Sequence, residues 1–127
     1  MTTFRTIRVV IVDEHEMVVT SLKIMFESLS GIEIIGRAVN GAEAVDLAGA
    51  LLPDVMLMDI MMPVMDGLTA TRLIRKQYPQ VKIVILTAST LEADKQAALD
   101  AGAHSYVRKE GSSVELIEAI RAVMRND

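Results

Sequence analysis

Val55-Met56-Leu57-Met58-Asp59 sets four apolar side chains in a row and ends on an acid. A strand with one wet face alternates apolar and polar residues. An unbroken apolar run therefore reads as a strand covered on both faces, the habit of parallel sheets. Further short, β-branched runs flank it: Ile7–Val12 and Glu33–Val39 before, Val81–Leu86 and Ser105–Val107 after. The segments between them have helical period and recognisable starts. Asn40 with Glu43 resembles a capping box, and Ser89 with Glu92 and Ser112 with Glu115 match the motif more closely. In the last segment Val114, Ile117, Ile120, Ala122 and Met124 form an apolar stripe, with Glu115, Glu118 and Arg121 on the wet side. Gly102 reads as a helix stop, and Pro53 and Pro79 end helices shortly before a strand.

Strict alternation of strand and helix predicts an α/β fold with right-handed crossovers. The expected architecture is a doubly wound five-stranded parallel sheet of order 2-1-3-4-5 with five helices, a flavodoxin-like three-layer sandwich. The chain has 127 residues, the size of one domain, and 51% of them are hydrophobic, enough for a core without disulfide or structural metal. Aromatics are few (Phe4, Phe26, Tyr78 and Tyr106), so Val, Ile, Leu and nine Met must fill that core. A net charge of −4 with both signs scattered argues against a nucleic-acid surface. There is no cysteine and no long apolar stretch, so thiol chemistry is excluded, no membrane span is expected, and a cytoplasmic setting is.

In such a sheet, ligands bind outside the carboxyl ends of the strands, where the strand order reverses. The expected ends carry Asp13-Glu14-His15, Asp59, Thr87 and Lys109. Singly each has a bland reading: a helix cap, a solvated carboxylate, a strand hydroxyl, a surface amine. Together they make a chemical set. Crowded carboxylates repel and call for a hard cation, for which Mg2+ with oxygen ligands and a phosphate oxygen is suited. One carboxylate can attack phosphorus, while an ammonium and a hydroxyl meet charge on the phosphoryl oxygens.

Asp59-Ile60-Met61-Met62-Pro63-Val64-Met65-Asp66-Gly67 resembles the D-x-x-M-P-x-M-D-G hallmark of bacterial response-regulator receivers. Val12-Asp13-Glu14-His15 resembles their acidic pair and Leu86-Thr87-Ala88 their switch-Thr segment. Gly102-Ala103-His104-Ser105-Tyr106-Val107-Arg108-Lys109 is similar to G-A-x-x-Y-x-x-K, and the likeness is nearest to the LuxR/NarL-type subfamily. The resemblance implies that residues 1–127 form one receiver domain that accepts a phosphoryl group on Asp59 from a sensor histidine kinase. It also implies direct Mg2+ ligation by Glu14, Asp59 and the main-chain carbonyl of Met61, with Asp13 acting through water. Lys109 would pair with the phosphate, and Thr87 and Tyr106 would switch. A homodimer on phosphorylation is expected. The subfamily likeness favours DNA binding through a helix-turn-helix domain outside this chain, not through this domain, with a single-domain regulator as the alternative.

The chain departs from the pattern at several points. Glu14 stands where most receivers have Asp, one methylene longer. Glu110 follows Lys109 where many have a cis Pro, so a trans bond is expected, with a carboxylate near Lys109. Met61 and Ser89 occupy the positions that flank the attacking water in this family. Met61 offers nothing to orient water, so slow self-dephosphorylation is expected. His15 as a zinc ligand is disfavoured, because neighbouring loop residues rarely face one metal. The methionines around Asp59 read as core filling. Two other classes compete: a phosphorylation-independent interaction or dimerisation module, kept open by Glu14, and a flavin binder, opposed by acids where a phosphate loop should be.

Overall fold

Ten elements alternate through residues 5–125, the part of the chain that the computed structural model describes. They are β1 Ile7–Val12, α1 Glu16–Glu27, β2 Ile32–Ala38, α2 Gly41–Leu51, β3 Val55–Met58, α3 Gly67–Gln77, β4 Lys82–Thr87, α4 Glu92–Asp100, β5 Ser105–Arg108 and α5 Ser113–Arg125. β1 and β3 have the expected bounds, and the other strands are shifted or extended by one residue. All pairings are parallel, and the five-stranded sheet has the order β2-β1-β3-β4-β5. Phe4 lies outside the described residues.

The continuous apolar strands are explained by the two halves of the core. Val10, Val12, Met56, Met58, Ile83 and Ile85 point to one side and pack with Ala44, Ala48, Ala70, Ile74 and Ala98 of α2, α3 and α4. Val9, Ile11, Val55, Leu57, Val84 and Leu86 point to the other and pack with Val19, Phe26, Leu116, Ile120 and Val123 of α1 and α5. A strand in the middle layer thus has no wet face. Small alanines on α2, α3 and α4 let those helices lie close to the sheet. Met56 and Met58 fill the core as expected, whereas Met61 is exposed.

The helix starts read from capping motifs in the sequence form as local chemistry dictates, with one exception. The Asn40 side chain accepts from Glu43 N at 2.9 Å, and the Glu43 carboxylate reaches back to Val39 N, one residue beyond the usual partner. Ser112 Oγ accepts from Glu115 N at 3.2 Å at the start of α5. Gly102 closes α4 in a left-handed conformation (φ 107°), with Ala103 N reaching back to Ala98 O. The expected Ser89–Glu92 box does not form. Leu91 stands at the helix start without a side-chain cap, while Ser89 Oγ accepts from Leu91 N at 3.1 Å and donates to Asp94 at 2.5 Å. Ser89 lies three residues before the first helical residue, Glu92, and its hydroxyl closes a local turn instead.

Leu57 is buried at the centre of the sheet, between α1 and α5. Leu57→Ala should lower the unfolding free energy by about 2–5 kcal/mol in urea denaturation; a loss under about 1 kcal/mol would contradict a closed second core half.

Candidate functional site

The rim at the carboxyl ends of β1, β3, β4 and β5 is where sequence-distant polar groups meet. Asp59 N donates to Val12 O at 3.0 Å, which seats the acid beside the end of β1. Lys109 N donates to Thr87 O at 2.7 Å, which brings the amine beside the end of β4. Gly67 keeps this geometry possible: a Cβ there would lie 1.9 Å from the Asp59 carbonyl oxygen. Asp66, just before it, caps α3 by accepting from Thr69 N at 2.8 Å and from the Thr69 hydroxyl at 3.1 Å.

Three of the expected site residues converge. Lys109 Nζ lies 2.8 Å from Asp13 Oδ2 and 3.3 Å from Asp59 Oδ2. Asp13 and Asp59 are only 2% and 4% exposed, so one ammonium serves two carboxylates that water scarcely reaches. Burial pulls the Asp13 carboxyl upward, but hydrogen bonds from Lys109 and from the main chain and ring of His15 outweigh it. Asp13 thus titrates below the ordinary Asp value. At Asp59 burial prevails; Lys109 opposes it, the Asp13 charge adds to it, and the carboxyl is raised. Thr87 is buried beside them, with its hydroxyl accepting from Ser89 N at 3.3 Å. Tyr106 is half-buried, and its hydroxyl donates to Ser89 O at 3.2 Å.

Other residues stand elsewhere than expected. Glu14 is exposed and is not part of the acidic cluster, whose members are Asp13, His15 and Asp59. The physical reason is a tight turn. Asp13 Oδ1 accepts from His15 N at 2.8 Å, which turns the chain so that the imidazole, itself 57% exposed, lies over the two carboxylates. His15 Nδ1 then lies 2.8 Å from Asp13 Oδ1 and 4.0 Å from Asp59 Oδ2. Among the described residues there is no cis peptide bond, so Lys109–Glu110 is trans as expected. The Glu110 carboxylate, however, pairs with Arg108 at 3.8 Å. Ser89, expected beside an open water path, has its hydroxyl committed to the start of α4.

A metal ion fits this donor set. Two carboxylates share one ammonium, which leaves negative charge uncompensated, and hard divalent ions prefer such oxygen donors. The Met61 carbonyl, two residues beyond Asp59, receives no main-chain hydrogen bond among the described residues and is a further oxygen donor.

A doubly wound sheet of this order, with an acidic rim bridged by an amine, defines the class of receiver folds. The chain belongs to the response regulator receiver domain family, whose profile matches residues 9–121. It is 39% identical over 122 residues to the response regulator protein VraR of Staphylococcus aureus, covering 96% of this chain and 58% of that protein. The chain thus spans little more than half the length of that curated relative. A two-component response regulator of the LuxR family from Aurantimonas sp. superposes with a TM-score of 0.90 at 32% identity, covering 95% of this chain and 86% of that one. The CheX-CheY-BeF3-Mg2+ complex from Borrelia burgdorferi gives 0.87 at 27% identity, covering 94% and 90%. No helix among the described residues is long and apolar enough to cross a membrane.

The Asp66 carboxyl lies below its ordinary value because of the Thr69 main-chain bond, which outweighs the opposing effect of burial. Its folded pKa is below its unfolded one, so its contribution is complete above about pH 4 and fades as pH falls through the folded value. Asp66→Asn keeps a capping oxygen and should remove that pH dependence, whereas Asp66→Ala should cost about 1 kcal/mol at neutral pH. Thermal melts of both variants between pH 2 and 7 check this; an unchanged acid limb in Asp66→Asn counts against it.

Proposed function

We propose that the protein is the phosphoacceptor of a two-component signalling pair, taking a phosphoryl group onto Asp59 from a phosphohistidine of a sensor histidine kinase. The observation that carries this reading is the Lys109 ammonium held between the buried carboxylates of Asp13 and Asp59. In the step itself a carboxylate oxygen of Asp59 attacks phosphorus and the P–N bond breaks. The imidazole leaves with the bonding pair, and an acyl phosphate remains on Asp59. Lys109 turns from the carboxylate to the new phosphoryl oxygens, and Thr87 exchanges its contact with Ser89 N for another of them.

Mg2+ is the proposed cofactor, which the Mg2+ of the B. burgdorferi CheX-CheY complex supports by analogy. Asp59 and the Met61 carbonyl would hold it directly and Asp13 through water, and Glu14 would have to swing inward to join them. When bound, the ion supplies positive charge that allows both acids and a phosphate oxygen to share one site.

The switch runs through a short relay. Thr87, once drawn to the phosphoryl group, releases Ser89 N; Ser89 O holds Tyr106, and the Ser89 hydroxyl holds the first turn of α4. Movement of one hydroxyl thus reaches both a half-buried aromatic ring and a helix start. The proposed output is transcriptional control by phosphorylation-dependent homodimerisation and a DNA-binding domain outside this chain, in the cytoplasm. The chain would catalyse only its own phosphorylation and dephosphorylation.

The exposed Glu14 favours a second reading, a receiver-like module that works without phosphate. Beryllofluoride with Mg2+ separates the two: the first reading expects amide NMR shifts at Thr87 and Tyr106, the second none. Asp59→Asn should abolish labelling by acetyl phosphate in Mg2+; full labelling of that variant would place the acceptor elsewhere. Met61→Asn, which adds an amide able to orient water, should shorten the phosphoryl lifetime severalfold. An unchanged lifetime would remove Met61 as the cause of slow turnover.

A further inference from the structure

We infer that Arg37 of β2 is a positioning residue that holds the acidic loop in its ion-binding shape; this rests on the phosphoacceptor reading of the same rim. Neither Asp13 nor Glu14 belongs to a strand or a helix, and among the described residues no main-chain N–H reaches the carbonyl of either. Both carbonyls are taken by one guanidinium. Arg37 Nε and Nη2 donate to Asp13 O at 3.4 and 3.2 Å, and Nη2 also donates to Glu14 O at 3.3 Å. Its Nη1 pairs with Glu16 in the first turn of α1 at 3.1 Å. The Arg37 side chain is only 20% exposed, whereas Glu16 is 82% exposed. The carbonyl bonds are therefore the better sheltered part of the clamp, and the ion pair contributes little.

The backbone aims this side chain. Val9 lies opposite Ile34 but Val10 lies opposite Gly36, so the β1–β2 register slips by one residue at Ile35. Successive strand residues face opposite sides of a sheet, and the slip sets Arg37 opposite Ile11, on the α1 side. Without it Arg37 would stand opposite Val12 and face α2. Asp13 N also donates to Ala38 O at 3.0 Å, so the loop is stitched to β2 once through backbone and again through the guanidinium. With its main-chain carbonyl held by Arg37, Asp13 directs its carboxylate to Lys109.

Positioning and simple charge predict opposite signs. A cation beside an acidic site repels Mg2+, so if charge alone mattered, Arg37→Ala would bind the ion more tightly. If Arg37 shapes the loop, removal weakens binding by about tenfold, the low end for residues that orient ligands from outside. Arg37→Lys keeps the charge but replaces a planar fork with a point donor, and should lose at least about threefold. Glu16→Gln should leave affinity unchanged.

The test is an amide NMR titration with Mg2+ of the wild type and these variants, with urea midpoints measured in parallel. The inference is supported if Arg37→Ala and Arg37→Lys both bind more weakly. Equal or tighter binding by a folded Arg37→Ala overturns it; should that variant not fold, wild-type affinity in Arg37→Lys overturns it equally. Absence of any Mg2+ response in the wild type would sink the phosphoacceptor reading itself, an outcome distinct from failure of the clamp.

Discussion

One ammonium stands between two buried carboxylates, and the rim of the sheet is organised around that arrangement. Removing Asp13 and Asp59 from water is costly, and only a close, hydrogen-bonded cation offsets it. Lys109 is nearer to Asp13 than to Asp59, at 2.8 against 3.3 Å. The two acids part in behaviour: burial raises Asp59 above its ordinary titration value, whereas at Asp13 the hydrogen bonds from Lys109 and His15 outweigh burial and hold it below. Environments that push neighbouring carboxyls apart are the usual means by which similar groups acquire different roles.

Several local devices keep the charged centre in place. Gly67 lets α3 begin against the Asp59 carbonyl, where no other residue fits. Asp66 caps that helix, so the M-D-G part of the hallmark has a structural purpose separate from the acceptor. Val64 adopts φ 68°, costly for a β-branched side chain, while Met65 N closes a three-residue turn on Pro63 O at 2.7 Å. On the far side, Ser89 gathers Thr87, Tyr106 and Asp94 into one hydrogen-bonded group. The site is thus a charged centre with a tight, partly strained wall on one flank and a polar relay on the other.

Much of this could be read directly from residues because it is local or periodic. Unbroken apolar runs at Val9–Val12 and Val55–Met58 signal strands covered on both sides, and both core halves duly pack against them. Asn40 and Ser112 cap as their spacing suggests, since a cap needs only a side chain and an amide three residues on. Ser89 shows where that logic stops. The same motif was present, but an acid five residues away and a turn amide won the hydroxyl. Glu110 likewise looked like a neighbour of Lys109, yet it pairs with Arg108.

The fold class, the strand order and the candidates for the rim were inherent in the chain, because hydrophobic period and strand-end position are properties of short segments. Which acid faces inward was not. Glu14 and His15 are adjacent and both exposed, and only the Asp13 turn decides that the imidazole meets the cluster while the Glu14 carboxylate does not. Arg37 carries no local mark at all. Its direction depends on a one-residue slip between β1 and β2, and a strand's side chains reverse face with every such slip. Pairings across a sheet arise from the packing of the whole domain, so contacts of that kind become visible only when the chain is folded.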